Sequence, residues 1–138
     1  MIPVSYAPQV YSVFRAVFGL LFLMHGLQKL AGLFGGMSGD GTAVPLNSLF
    51  GVAGVIECVT GTLILLGWCT RPAAFVASGM MAYAYFTVHV PMGPWPITNR
   101  GEPAVMNCFA FLYMAARGSG PVSLDALRKG KSGRQSAA

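Results

Sequence analysis

His25 and Lys29 stand inside the apolar run "LFLMHGLQKLAGLFG" (Leu21 to Gly35), and Glu57 stands inside "GVIECVTGTLILLG" (Gly54 to Gly67). Imidazole and carboxylate are the usual general acid and base groups, and a lysine ammonium is a strong donor to a carbonyl or carboxylate oxygen. Each is expensive in a hydrocarbon span, at about 2.5 to 3.5 kcal/mol for a charge at the centre on insertion scales. A residue retained against that cost needs a partner, a ligand or a nearby helix end. Glu57 has no helix end within reach, so a pairing or functional role is the expectation for it.

Helical geometry groups these residues. At about 100° per residue, Arg15, Gly19, Phe22, His25, Gly26 and Lys29 fall within an arc of about 120°, and Gly54, Glu57 and Gly61 within about 60°. His25 and Glu57 come out at similar depths, ~9 to 10 Å and ~13 to 14 Å from the side of the bundle where the Gly35 to Ser48 loop joins their helices. Glu57 is therefore expected to pair with His25 or Lys29, because an unpaired buried carboxylate takes up a proton. Farther on, Ser78, Ala82, Tyr85 and His89 share a stripe, and Glu102 and Asn107 begin the last apolar segment. The expected cluster is His25, Lys29, Glu57, His89, Glu102 and Asn107, with Glu57 and His25 as proton-handling groups and Lys29, His89, Asn107 and Arg15 as ligand-binding ones. Blander readings stand beside it. Arg15 and Lys29 can snorkel to head groups, His89 can be a solvated boundary residue, and Tyr83, Tyr85, Trp68 and Trp95 read as packing and interface-belt side chains.

Four apolar segments position these groups: residues 10–34, 47–66, 72–90 and 103–117. Three approach the roughly 20 residues that a bilayer helix needs, and the fourth is short. The fold class is all-α, a four-transmembrane-helix bundle over residues 1–120 followed by a basic tail over residues 121–138. "GGMSGDGTAVPLNS" (Gly35 to Ser48) is a Gly-rich loop ending in Asn47 and Ser48, both good N-caps. "GWCTRP" (Gly67 to Pro72) is a tight turn with Thr70 as the expected N-cap. "PMGPWPITNRGEP" (Pro91 to Pro103) holds too many prolines to be helical throughout. The tail leaves the membrane with one short helix from Ser123. The positive-inside rule puts both termini in the cytoplasm, on the side of Arg71, Arg117, Arg128, Lys129, Lys131 and Arg134.

The 138-residue chain is 54% hydrophobic and only 9% charged, against roughly 25% charged in soluble domains. Its net charge of +5 sits mostly in the tail, which offers no folded basic face or reader motif for nucleic acid. No signal peptide is expected, because no Lys or Arg precedes Arg15 and the apolar core runs into a longer span. Cys58, Cys69 and Cys108 show no CxxC or zinc spacing and read as inert. No metal site is expected, and two histidines do not dictate an axial haem pair. GxSxG, HExxH, P-loop and dinucleotide-binding signatures are absent, which weakens hydrolase, metalloprotease and nucleotide-dependent readings.

In order and spacing, the chain resembles the DoxX family of small four-helix bacterial membrane proteins. The resemblance is carried by an Arg in the first helix, "HGLQKL" (His25 to Leu30), "GVIECVTGTLILLG", "TRPAA" (Thr70 to Ala74), His89, "NRGEPAVMN" (Asn99 to Asn107) and "GSGPVSLD" (Gly118 to Asp125). It implies a multi-pass protein of the bacterial cytoplasmic membrane, in a family linked to quinone-reducing thiosulfate oxidation and oxidative-stress defence.

Three functions remain in view. The first is a redox-linked subunit that binds a quinone or similar small molecule near the outer half of the bundle, with a partner subunit supplying the electron carrier. The second is a non-catalytic accessory or anchoring subunit of a membrane complex, its charges specifying helix pairing. The third is a small transporter or lipid-binding protein, disfavoured by the lack of an internal repeat. The expected partners are the lipid bilayer and a redox or other membrane-complex protein, and a homo-oligomer is compatible with the sequence.

Overall fold

The computed structural model describes residues 3–135, and side-chain surroundings through residue 130. The described residues form helices and no strands. Four longer helices follow one another, α1 (Ala7–Ala31), α2 (Leu49–Leu66), α3 (Thr70–Ala84) and α4 (Glu102–Arg117), and α5 (Leu124–Gln135) is the last helix of the described residues. The stretches Val4–Ala31, Leu49–Leu66 and Thr70–Met92 are long and apolar enough to cross a membrane. Only about a third or less of each apolar window is buried within the protein (33%, 33% and 28%). The rest exposes side chains such as Val13, Val17, Val52, Val55, Phe75 and Val76, a surface suited to lipid rather than water. The 16-residue α4 packs mainly against α3.

Glycine decides how close α1 and α2 come. A Cβ on Gly19 would lie 2.4 Å from the Leu65 amide nitrogen, one on Gly26 2.7 Å from the Cys58 nitrogen, and one on Gly61 2.6 Å from the Leu23 nitrogen. Backbone faces backbone at these points, so any side chain would force the helices apart. The remaining interior is filled by Phe22, Ile64, Ala73, Ala74, Ala77, Met81, Phe111 and Met114. Phe22 and Phe111, 4.7 Å apart between ring centres, close α1 onto α4.

The helix ends refine the sequence-based boundaries. Gly32, at φ +65°, ends α1 three residues ahead of Gly35, and the Val44 amide returns to the Lys29 carbonyl at 2.8 Å. Asp40 accepts hydrogen bonds from the Thr42 hydroxyl and amide, which hold its carboxyl below the usual carboxylate range. Ser48 caps α2 by accepting from the Gly51 amide at 3.0 Å. The expected cap at Thr70 is displaced to Cys69, at φ +49°. Asp125 Oδ1 takes the Cys69 amide at 3.2 Å, while Thr70 is buried as the first helical residue.

The third apolar segment also departs from a regular helix. Its α-form stops at Ala84, a π turn runs over Tyr85–His89, and a 3-10 turn follows over Val90–Met92. Pro91 explains the break, because it has no amide for the Thr87 carbonyl and its ring crowds that carbonyl. The Thr87 hydroxyl meanwhile donates to Tyr83 O at 2.7 Å. The side chains of Lys131 and Arg134, expected to mark the basic tail, lie outside the described residues, as do residues 136–138.

Candidate functional site

Lys29 and Glu57 meet across the α1–α2 seam. The ammonium donates to Glu57 Oε1 at 2.7 Å and to Oε2 at 2.5 Å, with the two side chains 13% and 4% exposed. Of the two partners open to Glu57, the structure selects Lys29. Gly54 makes room for it: a Cβ there would come within 3.1 Å of Lys29 Cβ, so the lysine stem lies over the glycine, one turn from Glu57. This is the single ion pair among the described residues. The glycine pattern on α2 thus serves packing at Gly61 and placement of a charge at Gly54.

The pair forms one wall of a cavity of about 390 Å³ at the end of the bundle that carries the α1–α2 loop. His25, His89 and Asn107 add polar atoms, while Phe22, Phe50, Met80 and Met81 line the apolar part. Its size and its few polar groups on apolar walls are those of a small-molecule site. The cavity brings together every member of the expected cluster except Glu102. Glu102 is exposed in the first turn of α4, where a carboxylate complements the positive end of the helix dipole.

Arg15 lies elsewhere. It is 3% exposed at the opposite end of the bundle, and its guanidinium donates to the carbonyls of Ile64, Leu65 (2.7 Å) and Val122 (2.7 Å). It binds carbonyls of the last turn of α2, sharing that of Ile64 with the Gly67 amide, and ties them to the segment before α5. Arg15 shares the face of His25 and Lys29 but stands several turns away at the other end of the bundle, where Arg71 and Arg117 also lie, so it does not join the ligand-binding residues expected with it.

His89 is held from two sides. Its Nδ1 lies 3.1 Å from the Asn99 carbonyl oxygen; a carbonyl only accepts, so Nδ1 carries the proton and Nε2 is the position that gains or loses one. Tyr85 stacks on the ring at 6.4 Å, in a register set by the π turn, a feature that recurs at functional sites. Asn99, 1% exposed, organises the loop by donating to Gly93 O at 2.7 Å and accepting from the Gly101 amide at 2.8 Å. Sequence reasoning overlooked Asn99 as a positioning residue. The available signal was an asparagine beside Arg100 and Gly101 in a proline-rich loop, where proline supplies no amide and side-chain bonds take over part of the pairing.

Chemically, the site combines a carboxylate, an ammonium and two imidazoles around a mostly apolar hollow. It can hold a flat or amphipathic molecule, donate to its oxygens and exchange protons with it. The described residues contain no cluster of His, Cys, Asp and Glu suited to a metal ion.

Comparison with known proteins bears on the same region. An uncharacterized protein of Haemophilus influenzae is 40% identical over 124 residues, covering 88% of this chain and 92% of that protein. The inner membrane protein YphA of Escherichia coli is 29% identical over 129 residues, covering 86% and 89%. No solved structure matches. The three apolar helices and the likeness to an inner membrane protein mark a multi-pass protein of the bacterial inner membrane. The DoxX family model matches residues 10–90, a span that contains the Gly-meshed α1–α2 pair, the Lys29–Glu57 bridge, His25 and His89, and the chain belongs to the DoxX family.

Proposed function

We propose that this protein binds a quinone, or a small molecule of similar shape and polarity, in the cavity between His25, Lys29, Glu57, His89 and Asn107. The observation that carries the reading is a buried ion pair opening onto a mostly apolar hollow of about 390 Å³. A quinone offers carbonyl oxygens for Lys29 and Asn107 and a ring for the apolar wall. Its reduction takes up protons as well as electrons. Glu57 and His25 are suited to pass protons, and Nε2 of His89 can donate to a carbonyl oxygen when protonated and accept from a hydroxyl when neutral. A partner subunit brings the electrons. In this reading α4 is a fourth, short crossing, both termini are cytoplasmic and the cavity lies in the outer half of the membrane, as the cations around the α2–α3 turn and in the tail favour.

The test is titration of the purified protein in nanodiscs with short-chain ubiquinone and menaquinone. Saturable binding is expected, weakened tenfold or more by Glu57→Gln, which is about 1.4 kcal/mol or more. Unchanged binding in Glu57→Gln would remove the mechanism.

One observation favours a second reading, an accessory or anchoring subunit. The Lys29–Glu57 bridge spans the same α1–α2 seam that the glycines mesh, so the pair also fits a lock that specifies helix register. Under that reading Glu57→Gln lowers stability and leaves quinone binding absent in wild type and variant alike.

A further inference from the structure

At the opposite end of the bundle, a second pocket of about 680 Å³ is lined by Arg71, Arg117, Arg128, Lys129 and one carboxylate, Asp125. The four cations come from three helices: Arg71 from the start of α3, Arg117 from the end of α4, and Arg128 and Lys129 from α5. All four are exposed, and none forms an ion pair among the described residues. Asp125 is engaged through Oδ1 with the Cys69 amide. Glu57, Glu102 and Asp40, the other carboxylate side chains of the sequence, belong to the far end of the bundle. The pocket therefore holds several positive charges against a single negative one.

Its walls are shaped for this. Gly118, at φ +89°, turns the chain out of α4, and a Cβ there would lie 3.2 Å from Arg71 Nε, so the glycine lets the arginine lie along the backbone. Arg117 sits 4.5 Å above the Tyr11 ring, while the Tyr11 hydroxyl donates to the Gly118 carbonyl at 2.5 Å. Aromatic support and a tight turn thus fix two guanidinium groups at the mouth of one hollow. Arginine is the side chain best matched to phosphate oxygens.

An apolar shelf continues from the basic pocket. Trp68, Leu124 and Leu127 are exposed by 43%, 39% and 65%, and they share a neighbouring hollow with Arg128. Cations beside exposed indole and leucine side chains, at the end of a membrane bundle, match a phosphate group with acyl chains attached to it.

We propose that the pocket between α3, α4 and α5 binds the phosphate head group of an anionic phospholipid, whose acyl chains lie on the Trp68, Leu124 and Leu127 shelf. Arg71, Arg117 and Arg128 hold the phosphate, and α5 is thereby fixed along the membrane surface. The site is separate from the cavity at the Lys29–Glu57 pair and does not depend on the ligand bound there.

The experiment is native mass spectrometry of the full chain released from nanodiscs of phosphatidylcholine containing phosphatidylglycerol. Wild type is expected to retain phosphatidylglycerol over phosphatidylcholine, and the R71Q/R128Q variant to retain at least fivefold less. R100Q, which removes a cation outside this pocket, should retain as much as wild type. Millimolar inorganic phosphate should not displace the lipid. Equal retention by R71Q/R128Q, an equal loss in R100Q, or displacement by inorganic phosphate would overturn the proposal, the last by making this a site for free phosphate. Thermal melting of R71Q/R128Q at the wild-type temperature is expected, since neither side chain is buried or ion-paired; a collapsed melt would assign the two residues to folding instead.

Discussion

Lys29 and Glu57 sit where a lone charge would be costly, and their mutual bridge offsets that cost only while both are present. Removing one partner of such a pair typically costs about 3 to 5 kcal/mol, whereas replacing both by apolar groups of similar volume is often neutral. Lys29→Met is therefore expected to lower stability by about 3 kcal/mol, and K29M/E57L to recover most of that loss. Thermal unfolding in one detergent checks it, and a double variant no more stable than Lys29→Met would contradict the pairing as the source of the effect. Arg15 shows a different solution, because its guanidinium answers backbone carbonyls rather than a carboxylate. Residue type and spacing made the Glu57 pairing legible in advance: the face came from the helical angle and the depth from the rise per residue. They put Arg15 at the end of the bundle that Arg71 and Arg117 mark, but not its partners, since backbone carbonyls of the last turn of α2 leave no trace in residue type or spacing.

Between elements, the α1–α2 seam depends on the absence of side chains. Gly61→Val should destabilise the protein by about 1 to 3 kcal/mol or more, because the atom it strikes is backbone and cannot rotate away. Gly79→Ala should be neutral or slightly stabilising, because nothing lies within 4 Å of its Cβ position and alanine favours helix. Equal melting temperatures for these two variants would contradict the packing. The ends of α1, α2 and α4 were readable from hydropathy and capping residues within a few positions, whereas α3 stops at Ala84 against an expected end at residue 90. The π turn at Tyr85–His89 was not readable, since the apolar pattern of so short a segment is the same for α and π windings. Cys69 displaced Thr70 as the cap for a tertiary reason, the reach of Asp125 from α5. The position of His89 depends on Asn99 in the same way, through loop hydrogen bonds that no periodicity encodes.

The described residues have two unlike ends: a cavity at the Lys29–Glu57 pair, and a basic pocket between α3, α4 and α5. In the proposed orientation, exposed Cys69 faces the cytoplasm. A C58A/C108A variant should then react with a membrane-impermeant maleimide only after the cells are opened; labelling in intact cells with a permeabilised outer membrane would reverse the topology. The central claim is that the bridge serves a ligand as well as a helix pair, and K29M/E57L separates the two roles. Quinone affinity should be measured on this variant in nanodiscs, alongside its unfolding temperature. The variant should melt close to wild type with quinone affinity reduced at least tenfold. Wild-type affinity in a stable K29M/E57L protein would contradict that claim.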